Sequence, residues 1–290
     1  MARDVRFDVE GAEYAALDFG GEGHDVLLLS QLASNAQVWG LLAPALAEFC
    51  HPVAVDLRGH GQSAADVLEI GMITGQLPAV SAALGFERPL VVLEHEELLA
   101  LDPTRFAGLD AVGLALMSVA SCQRGEAARQ DWAEMVGPEA MAVWVERFSL
   151  FASGPAETRE AYLDELVDRT RTDWITADVP PDQMRAYFAR HLRAVPGGWR
   201  RYPERDVLFE ALDIVLLQPH GLDLRDSYDG ILWNIVPEEI VDESEVAILD
   251  EYAASRADRE VRYIEGGPNL DTVDVDDAAA AIEEMLRALT

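Results

Sequence analysis

A run of acidic residues around one histidine stands directly after a short apolar segment. The apolar segment is Pro89–Leu93, and Glu94-His95-Glu96-Glu97 follows it. Carboxylates that crowd together in a half-buried place have raised pKa values, so one of them can donate or accept a proton near neutral pH. The run therefore predicts acid–base chemistry. The alternative is a solvated helix start, where acidic side chains complement the helix dipole.

The other groups that could do chemistry are scattered and form no metal or nucleotide motif. His95 and His220 lie near the ends of predicted strands, where open α/β sheets bind ligands. No H-E-x-x-H pattern, no His/Cys cluster and no Walker pattern occurs in the sequence. Cys50 and Cys122 are two separate thiols, interpreted as small buried hydrophobic residues. The sequence therefore predicts neither a metal ion nor another cofactor.

Alternating strand and helix patterns predict the elements that position these groups. Apolar–polar alternation predicts an opening hairpin of Val5–Val9 and Glu13–Phe19, short apolar runs predict strands, and apolar residues at helical spacing predict helices. The later predicted strands are Asp25–Ser30, His51–Asp56, Pro89–Leu93, Ala111–Leu116, Asp213–Gln218 and Glu260–Ile264, and the predicted helices are Gln37–Phe49, Thr74–Leu84 and Val275–Leu289. This order predicts an α/β protein with a mostly parallel, doubly wound sheet.

The segment from Ser118 to Arg205 has a different pattern. It is nearly all amphipathic helix and is rich in aromatic residues, among them Trp144 and Phe148. We therefore expect three parts: the first part of an α/β core at residues 1–117, a helical cap at residues 118–205, and the second part of the core at residues 206–290. Some of the cap aromatics are expected to line a pocket.

The composition excludes several classes of protein. The chain has 290 residues, with 53 acidic side chains against 22 basic ones and a formal net charge of −31. This acidity argues against binding to nucleic acid or to anionic lipid. No apolar signal-peptide region and no run of about 18 apolar residues is present. We expect a cytoplasmic globular protein without a nucleic-acid or membrane partner, and a homodimer is left open.

Lysine is absent, so all 22 basic residues are arginines. Three explanations stay open. Codon usage in a high-GC bacterium favours Arg and Ala over Lys, and adaptation to high salt explains an acid excess together with few lysines. A protein that handles an aldehyde, a quinone or another electrophile also gains from lacking nucleophilic amines. The third explanation points to an electrophilic ligand.

Several motifs together resemble the α/β-hydrolase fold. They are the segment Leu27–Trp39, the turn Asp56–Ser63 with the sequence D-L-R-G-H-G-Q-S, the segment Leu84–Pro89 and the segment Ile264–Gly267. The resemblance is greatest to the branch of epoxide hydrolases, dehalogenases and C–C hydrolases, whose helical cap follows the sixth strand. It covers nearly the whole chain and implies a pocket between the core and the cap.

The catalytic positions implied by this resemblance carry other residues here. Glu96 falls at the nucleophile position of the G-x-S-x-G elbow, and Glu94 and Leu98 replace its two glycines. Side chains at those flanks predict a relaxed turn in place of a strained one, followed by a short helix. Asn269 falls at the position of the catalytic histidine, and Asp223 is the nearest acid after the predicted strand that would carry the third member of the triad.

The oxyanion loop differs as well, because Ser30-Gln31 stands where the family has His-Gly. A Ser-His-Asp relay needs all of its members, so the resemblance implies a degenerate triad and no ordinary hydrolysis of esters, epoxides or haloalkanes. The candidate catalytic residues are Glu96, His95 and Asn269, and the candidate substrate-binding residues are Ser30, Gln31, Trp39, Glu97, His220, Asp223, Trp144 and Phe148.

Proteins of this fold with altered triads occur in natural-product pathways, and by analogy the resemblance implies a non-hydrolytic enzyme of that kind. Such an enzyme would hold a hydrophobic, reactive polyketide-type intermediate between core and cap. It would catalyse cyclisation, C–C bond formation by conjugate addition, or elimination, without a cofactor. Two alternatives stay open: an inactive protein that binds or sequesters a small molecule, and an atypical hydrolase that uses Glu96.

Overall fold

The hairpin predicted at the start of the chain begins an eight-stranded sheet. The computed structural model describes residues 2–67, 69–102, 104–117, 121–173, 176–267 and 274–290. Its strands in chain order are Arg3–Val9 (β1), Ala12–Asp18 (β2), Asp25–Leu29 (β3), His51–Val55 (β4), Leu90–Leu93 (β5), Gly113–Leu116 (β6), Ser153–Gly154 (β7), Leu192–Val195 (β8), Gly198–Arg201 (β9), Leu232–Pro237 (β10) and Arg259–Ile264 (β11). Strands β1 and β2 confirm the predicted hairpin.

The large sheet has the strand order β1-β2-β4-β3-β5-β6-β10-β11. The β1–β2 and β2–β4 pairs are antiparallel, and the pairs from β4 to β11 are parallel. Leu29 lies opposite Leu93, and Leu93 lies opposite Leu116, so the carboxyl ends of β3, β5 and β6 meet at one edge. Open α/β sheets bind their ligands at this edge.

Helices cover both faces of the sheet. In chain order the α-helices are Leu42–Leu46 (α1), Met72–Gly75 (α2), Leu77–Ala83 (α3), Glu97–Leu101 (α4), Gly125–Val136 (α5), Pro138–Arg147 (α6), Arg159–Thr170 (α7), Pro181–His191 (α8), Arg205–Leu216 (α9), Gly221–Asp226 (α10), Glu243–Ser255 (α11) and Val275–Leu289 (α12). Alternate residues of β3 point to opposite faces of the sheet and pack in two separate cores. Leu27 and Leu29 pack in one core with α3 and α9, and Val26 and Leu28 pack in the other with α1 and α12. The predicted doubly wound α/β architecture is confirmed.

The helices agree with the sequence pattern to different degrees. The prediction of Val275–Leu289 is confirmed at both ends, and Asp274 caps this helix. The predicted helix Thr74–Leu84 is two short helices, α2 and α3, because Pro78 lacks the N–H that a continuous helix needs. The predicted helix Gln37–Phe49 is a 3-10 turn followed by α1.

The segment between β6 and α9, called the cap below, combines helices with a small antiparallel sheet, in the order β7-β9-β8. The sequence pattern predicted helix almost throughout, because these strands have only two to four residues each. Leu163, Phe188 and Trp199 belong to a separate hydrophobic core within this segment. The division of the chain at residues 118 and 205 stays a prediction.

The predicted strand Asp213–Gln218 is wrong. Most of this run lies in α9, whose buried residues have helical spacing: Leu208, Ala211, Leu212 and Val215. A short apolar run does not by itself distinguish a strand from a buried helical turn. On the side away from β5, β6 pairs with β10, which is buried along its whole length and which the sequence pattern did not predict.

The described residues contain no helix that is both long and apolar enough to cross a bilayer. They also contain no group of three or more His, Cys, Asp or Glu side chains placed to hold a metal ion.

Cys50 and Cys122 are free and buried, as predicted. Burial raises the pKa of the Cys122 thiol to about 11, so it is protonated at neutral pH and is a poor nucleophile.

Candidate active site

The turn after β5 is relaxed, as predicted from its large side chains. Glu96 has φ −76° and ψ −11°, which is ordinary helical backbone, and none of the residues from Glu94 to Glu97 has a positive φ. Leu98 is fully buried and fixes the start of α4 in the core. The helix ends at Leu101, since Asp102 precedes a proline and is extended.

Glu96 forms a buried ion pair with Arg225. The Arg225 Nε and Nη2 atoms donate to Glu96 Oε2 at 3.0 and 2.8 Å, and Trp132 Nε1 donates to Oε1 at 3.0 Å. Neither charged side chain has any exposed surface. A Cβ at Gly221 would lie 2.5 Å from the Gln123 carbonyl oxygen, so glycine permits the close approach of α10 that brings Arg225 to Glu96.

This pair corrects the position expected for Glu96. The sequence pattern predicted its carboxylate in the pocket, but Glu96 does not line the cavity described below. Its side chain packs beneath α5 and α10, because the relaxed turn starts a helix at this point. Both carboxylate oxygens are engaged by donors from those two helices.

Glu97 connects the turn to the loop after β3. One oxygen, Oε1, accepts a hydrogen bond from the backbone N–H of Leu32 at 2.9 Å, and the other contacts His95 Nδ1 closely. Burial alone raises the pKa of Glu97, but the His95 charge and the hydrogen bonds outweigh it, so the pKa lies below its usual value. Glu97 is therefore a carboxylate at neutral pH.

His95 lines the cavity and is oriented by Glu97. Its ring meets Trp132 edge to face, with the centroids 5.4 Å apart. Burial lowers the pKa of His95, but the charge and hydrogen bond of Glu97 outweigh it and hold the pKa above 6.5. Because Nδ1 faces a carboxylate, Nε2 is the ring nitrogen that can exchange a proton with a ligand.

Glu94 binds the same loop at Gln31, the residue before Leu32. The Gln31 backbone N–H donates to Glu94 Oε2 at 2.8 Å, and Gln31 Nε2 donates to Oε1 at 3.0 Å. The N–H groups of Gln31 and Leu32 are thus both held by carboxylates of this chain. In hydrolases with the elbow motif, a backbone N–H of this loop stabilises the oxyanion.

A cavity of about 460 Å³ lies above these residues, between the sheet edge and the cap. Its wall is mostly apolar and includes Met135, Met141, Trp144, Phe148 and Leu212. Trp144 and Phe148 stack with centroids 5.4 Å apart and an interplanar angle of 8°. The polar part of the wall includes Glu94, His95 and Glu97. Such a site suits a hydrophobic ligand with one reactive polar part.

A second depression, of about 780 Å³, lies between β1 and α8. It is wide and open, and polar side chains such as Arg6, Gln37 and Gln62 line it. It contains no histidine and no cysteine among the described residues, so the smaller, more enclosed cavity under the cap is the better candidate site.

Five of the predicted site residues line the cavity under the cap: Gln31, His95, Glu97, Trp144 and Phe148. Besides Glu96, four predicted residues do not line it. Ser30 is buried beside the cavity, and Trp39 is buried on the opposite face of the sheet, with α1 and α12. His220 stacks on Trp132 at 5.1 Å. Asp223 accepts hydrogen bonds from the Gly125 N–H and from Arg124.

Asn269 lies outside the described residues, so its predicted catalytic role stays a prediction. Leu32, Trp132, Arg201 and Arg225 contribute to the site and were missed. No spacing pattern marks these arginines, because a buried and a solvated arginine look alike in sequence.

Comparison with known proteins bears on the fold. No protein-family model matches the chain. Over 74 residues the chain is 34% identical to N-formylmaleamate deformylase of Pseudomonas putida, a match that covers 24% of this chain and 28% of that enzyme's length. The structure of E-2-(acetamidomethylene)succinate hydrolase superposes with a TM-score of 0.69 at 16% identity and covers 99% of this chain and 100% of that one.

The thioesterase domain from the curacin biosynthetic pathway superposes with a TM-score of 0.63 at 15% identity and covers 98% of each chain. These neighbours are a hydrolase and a thioesterase, both similar over almost the full length. At this level of identity, the similarity shows the fold. Together with the strand order and the position of the cap, it shows that the chain has the α/β-hydrolase fold.

Proposed function

We propose that this protein is a cofactor-independent enzyme that transfers protons on a hydrophobic small molecule held between the core and the cap. His95 is the acid–base group, and Glu97 orients it. The reaction is a cyclisation, a C–C bond formation by conjugate addition, or an elimination. The substrate is an electrophilic, polyketide-type intermediate of a bacterial natural-product pathway, and the absence of lysine supports it because no lysine amine is present to trap an electrophile.

One observation carries the proposal: the Glu97 carboxylate binds both the Leu32 N–H and the His95 ring. An oxyanion on that N–H would have to displace a carboxylate and would be repelled by its charge. The same carboxylate fixes the tautomer of His95 and stabilises the imidazolium that forms when the ring accepts a proton. The geometry therefore favours proton transfer over acyl transfer.

Hydrolysis through Glu96 has less support. A nucleophilic carboxylate must reach the substrate, whereas Glu96 is held by Arg225 and Trp132 away from the cavity wall. Attack on a substrate would require breaking a fully buried ion pair, which is costly.

The test uses 5-nitrobenzisoxazole, a small apolar probe that opens to a coloured cyanonitrophenolate when a base removes its C–H proton and the N–O bond breaks. We expect the protein to accelerate this reaction over buffer, and His95→Gln to reduce the acceleration by about a hundredfold, a typical acid–base contribution. p-Nitrophenyl esters are expected to react only at the background rate.

His51→Gln is the matched control, because His51 is bound to Asp18 and Asp25 and does not line the cavity. It should retain the full rate. Equal rates for wild type and His95→Gln would overturn the proposal. Binding of the probe without any acceleration would instead favour the inactive, ligand-sequestering alternative, and rapid ester turnover would favour a hydrolase.

A further inference from the structure

Arg201 places a buried positive charge in the wall of the cavity under the cap. It is the last residue of β9, is 2% exposed, and lines the cavity together with Phe148 and Phe188. Its backbone N–H is bound to the Ala152 carbonyl oxygen at 2.8 Å. The small sheet of the cap therefore fixes the backbone of the residue whose side chain lines the cavity.

The Arg201 guanidinium has few hydrogen-bond partners within the described part of the chain. Nη1 donates to the Phe148 carbonyl oxygen, while Nε is buried and has no hydrogen-bond partner. The charged carbon lies 5.7 Å from the Phe188 ring centroid, a weak contact for a buried cation. A buried charge without a counterion is costly, so such a group is retained where a ligand supplies the missing charge.

Other buried arginines in the described residues have carboxylate partners. Arg225 is paired with Glu96, and Arg190 Nε is paired with Asp56 at 2.9 Å. The chain has 53 acidic side chains for 22 arginines, so a partner for Arg201 would be easy to supply. Arg201 nonetheless forms no ion pair with any described carboxylate.

The acidic residues in the same wall are bound to other donors. Glu94 accepts two hydrogen bonds from Gln31, and Glu97 is bound to Leu32 and His95. Glu245 accepts from the backbone N–H of Asp242 at 2.9 Å in the capping box of α11. Among the described residues, Arg201 is the one charged side chain that the cap contributes to the cavity wall.

We propose that Arg201 binds a carboxylate of the ligand, so that the substrate class is an apolar carboxylic acid. An arginine guanidinium matches a carboxylate with two parallel hydrogen bonds, which here would use the unpartnered Nε. The apolar body then packs on Trp144 and Phe148 and presents its reactive carbon toward His95. This inference deepens the proposed function, because it uses the same cavity, but it depends on binding and not on catalysis.

The test compares 2-naphthoate with 2-naphthamide, two probes of the same shape that differ in charge. Isothermal titration calorimetry with the full chain should give a dissociation constant for the acid at least about tenfold lower than for the amide, in line with a charge-assisted hydrogen bond. Arg201→Met should abolish this preference and leave the affinity for the amide unchanged. Arg201→Lys, which keeps the charge but not the planar fork, should retain a reduced preference.

Arg200→Met is the matched control, because Arg200 is the neighbouring residue of β9, is exposed, and is paired with Glu204. It should retain the full preference for the acid. Equal affinities of the wild type for acid and amide would overturn the proposal without any variant. So would an acid preference that survives in a folded Arg201→Met protein.

The outcomes separate this inference from the proposed function. The 5-nitrobenzisoxazole reaction measures proton transfer on an uncharged probe, whereas the titrations with 2-naphthoate and 2-naphthamide measure binding alone. If the wild type does not accelerate the 5-nitrobenzisoxazole reaction but still prefers the acid, the proposed proton transfer is wrong and the carboxylate site is supported.

Discussion

The Glu97 carboxylate accepts a hydrogen bond from the backbone N–H of Leu32 at 2.9 Å. Leu32 belongs to the loop after β3 and Glu97 to the first turn of α4, so this bond joins two segments at the ligand edge of the sheet. The second oxygen of the same carboxylate holds His95. One side chain therefore fills an anion-binding position and orients a base.

The stability that His95 contributes should depend on pH in a definite direction. Its folded pKa is raised above 6.5, so its contribution is complete below pH 6.5 and declines as the pH rises through the raised value. The folded pKa of Glu97 is lowered below 4.5, so the pair loses stability again only as the pH falls through that lowered value.

Urea unfolding of wild type and His95→Gln measures this dependence. We expect the advantage of the wild type in free energy of unfolding to be largest between pH 4.5 and 6.5, the ordinary pKa values of the two groups. An advantage that stays constant from pH 4 to pH 9, or that grows above pH 7, would contradict a charged His95–Glu97 pair.

Breaking the Glu96–Arg225 pair should cost stability and leave the chemistry in place. Both side chains are fully buried, and removing one charge from such a pair typically costs about 3–5 kcal/mol. Glu96→Gln should therefore lower the free energy of unfolding by about that amount while the folded protein still opens 5-nitrobenzisoxazole. The double variant Glu96→Leu with Arg225→Met should be more stable than either single variant, because no unpaired charge remains.

The result that would contradict this assignment is a folded Glu96→Gln protein without proton-transfer activity. Such a protein would show that Glu96 carries the chemistry, as its place in the sequence pattern first predicted.

Much of the site could be predicted because strand order alone brings its segments together. The apolar runs that became β3 and β5 were recognisable, and their carboxyl ends place Gln31 beside Glu94 and His95. The direction of each side chain in the turn could not be predicted. It depends on the backbone angles after Leu93, and those angles decide that Glu97, and not Glu96, reaches the loop.

The wrong strand had a different physical cause. The run at Asp213–Gln218 is apolar enough for a strand, and only the helical spacing from Leu208 to Val215 identifies α9. The true strand, β10, contains Asn234 and Pro237, which interrupt its apolar pattern although both are buried. Arg225 was missed because its partner depends on how α10 packs, which local sequence does not encode.

Restoring a serine at the nucleophile position should not create an esterase. Glu96→Ser removes the partner of Arg225 but leaves Glu97 on the Leu32 N–H, and the helical backbone at residue 96 does not provide a strained elbow. We expect hydrolysis of p-nitrophenyl acetate to stay at the background rate. A clear gain in kcat/KM would show that the anion position is still free for an oxyanion.

The aromatic stack in the cap should contribute to ligand affinity. Trp144 and Phe148 line the cavity and stack on each other, so Trp144→Ala removes a large apolar surface from the wall. We expect the dissociation constant of 2-naphthamide to rise about tenfold, which corresponds to about 1.4 kcal/mol. Tyr263→Ala, which removes an aromatic ring outside the cavity, is the control. An equal rise of the dissociation constant in both variants would show that the Trp144–Phe148 stack does not contribute to ligand affinity.

The pH dependence of 5-nitrobenzisoxazole opening tests the central claim most directly, namely that His95 is the base and Glu97 sets its pKa. Only the neutral imidazole accepts a proton, so the wild-type rate should rise with pH to a plateau, with its midpoint above 6.5. In Glu97→Gln the carboxylate is lost, so the midpoint should move to lower pH. An identical midpoint in both proteins, or a rate that does not change with pH between 5 and 9, would contradict the account.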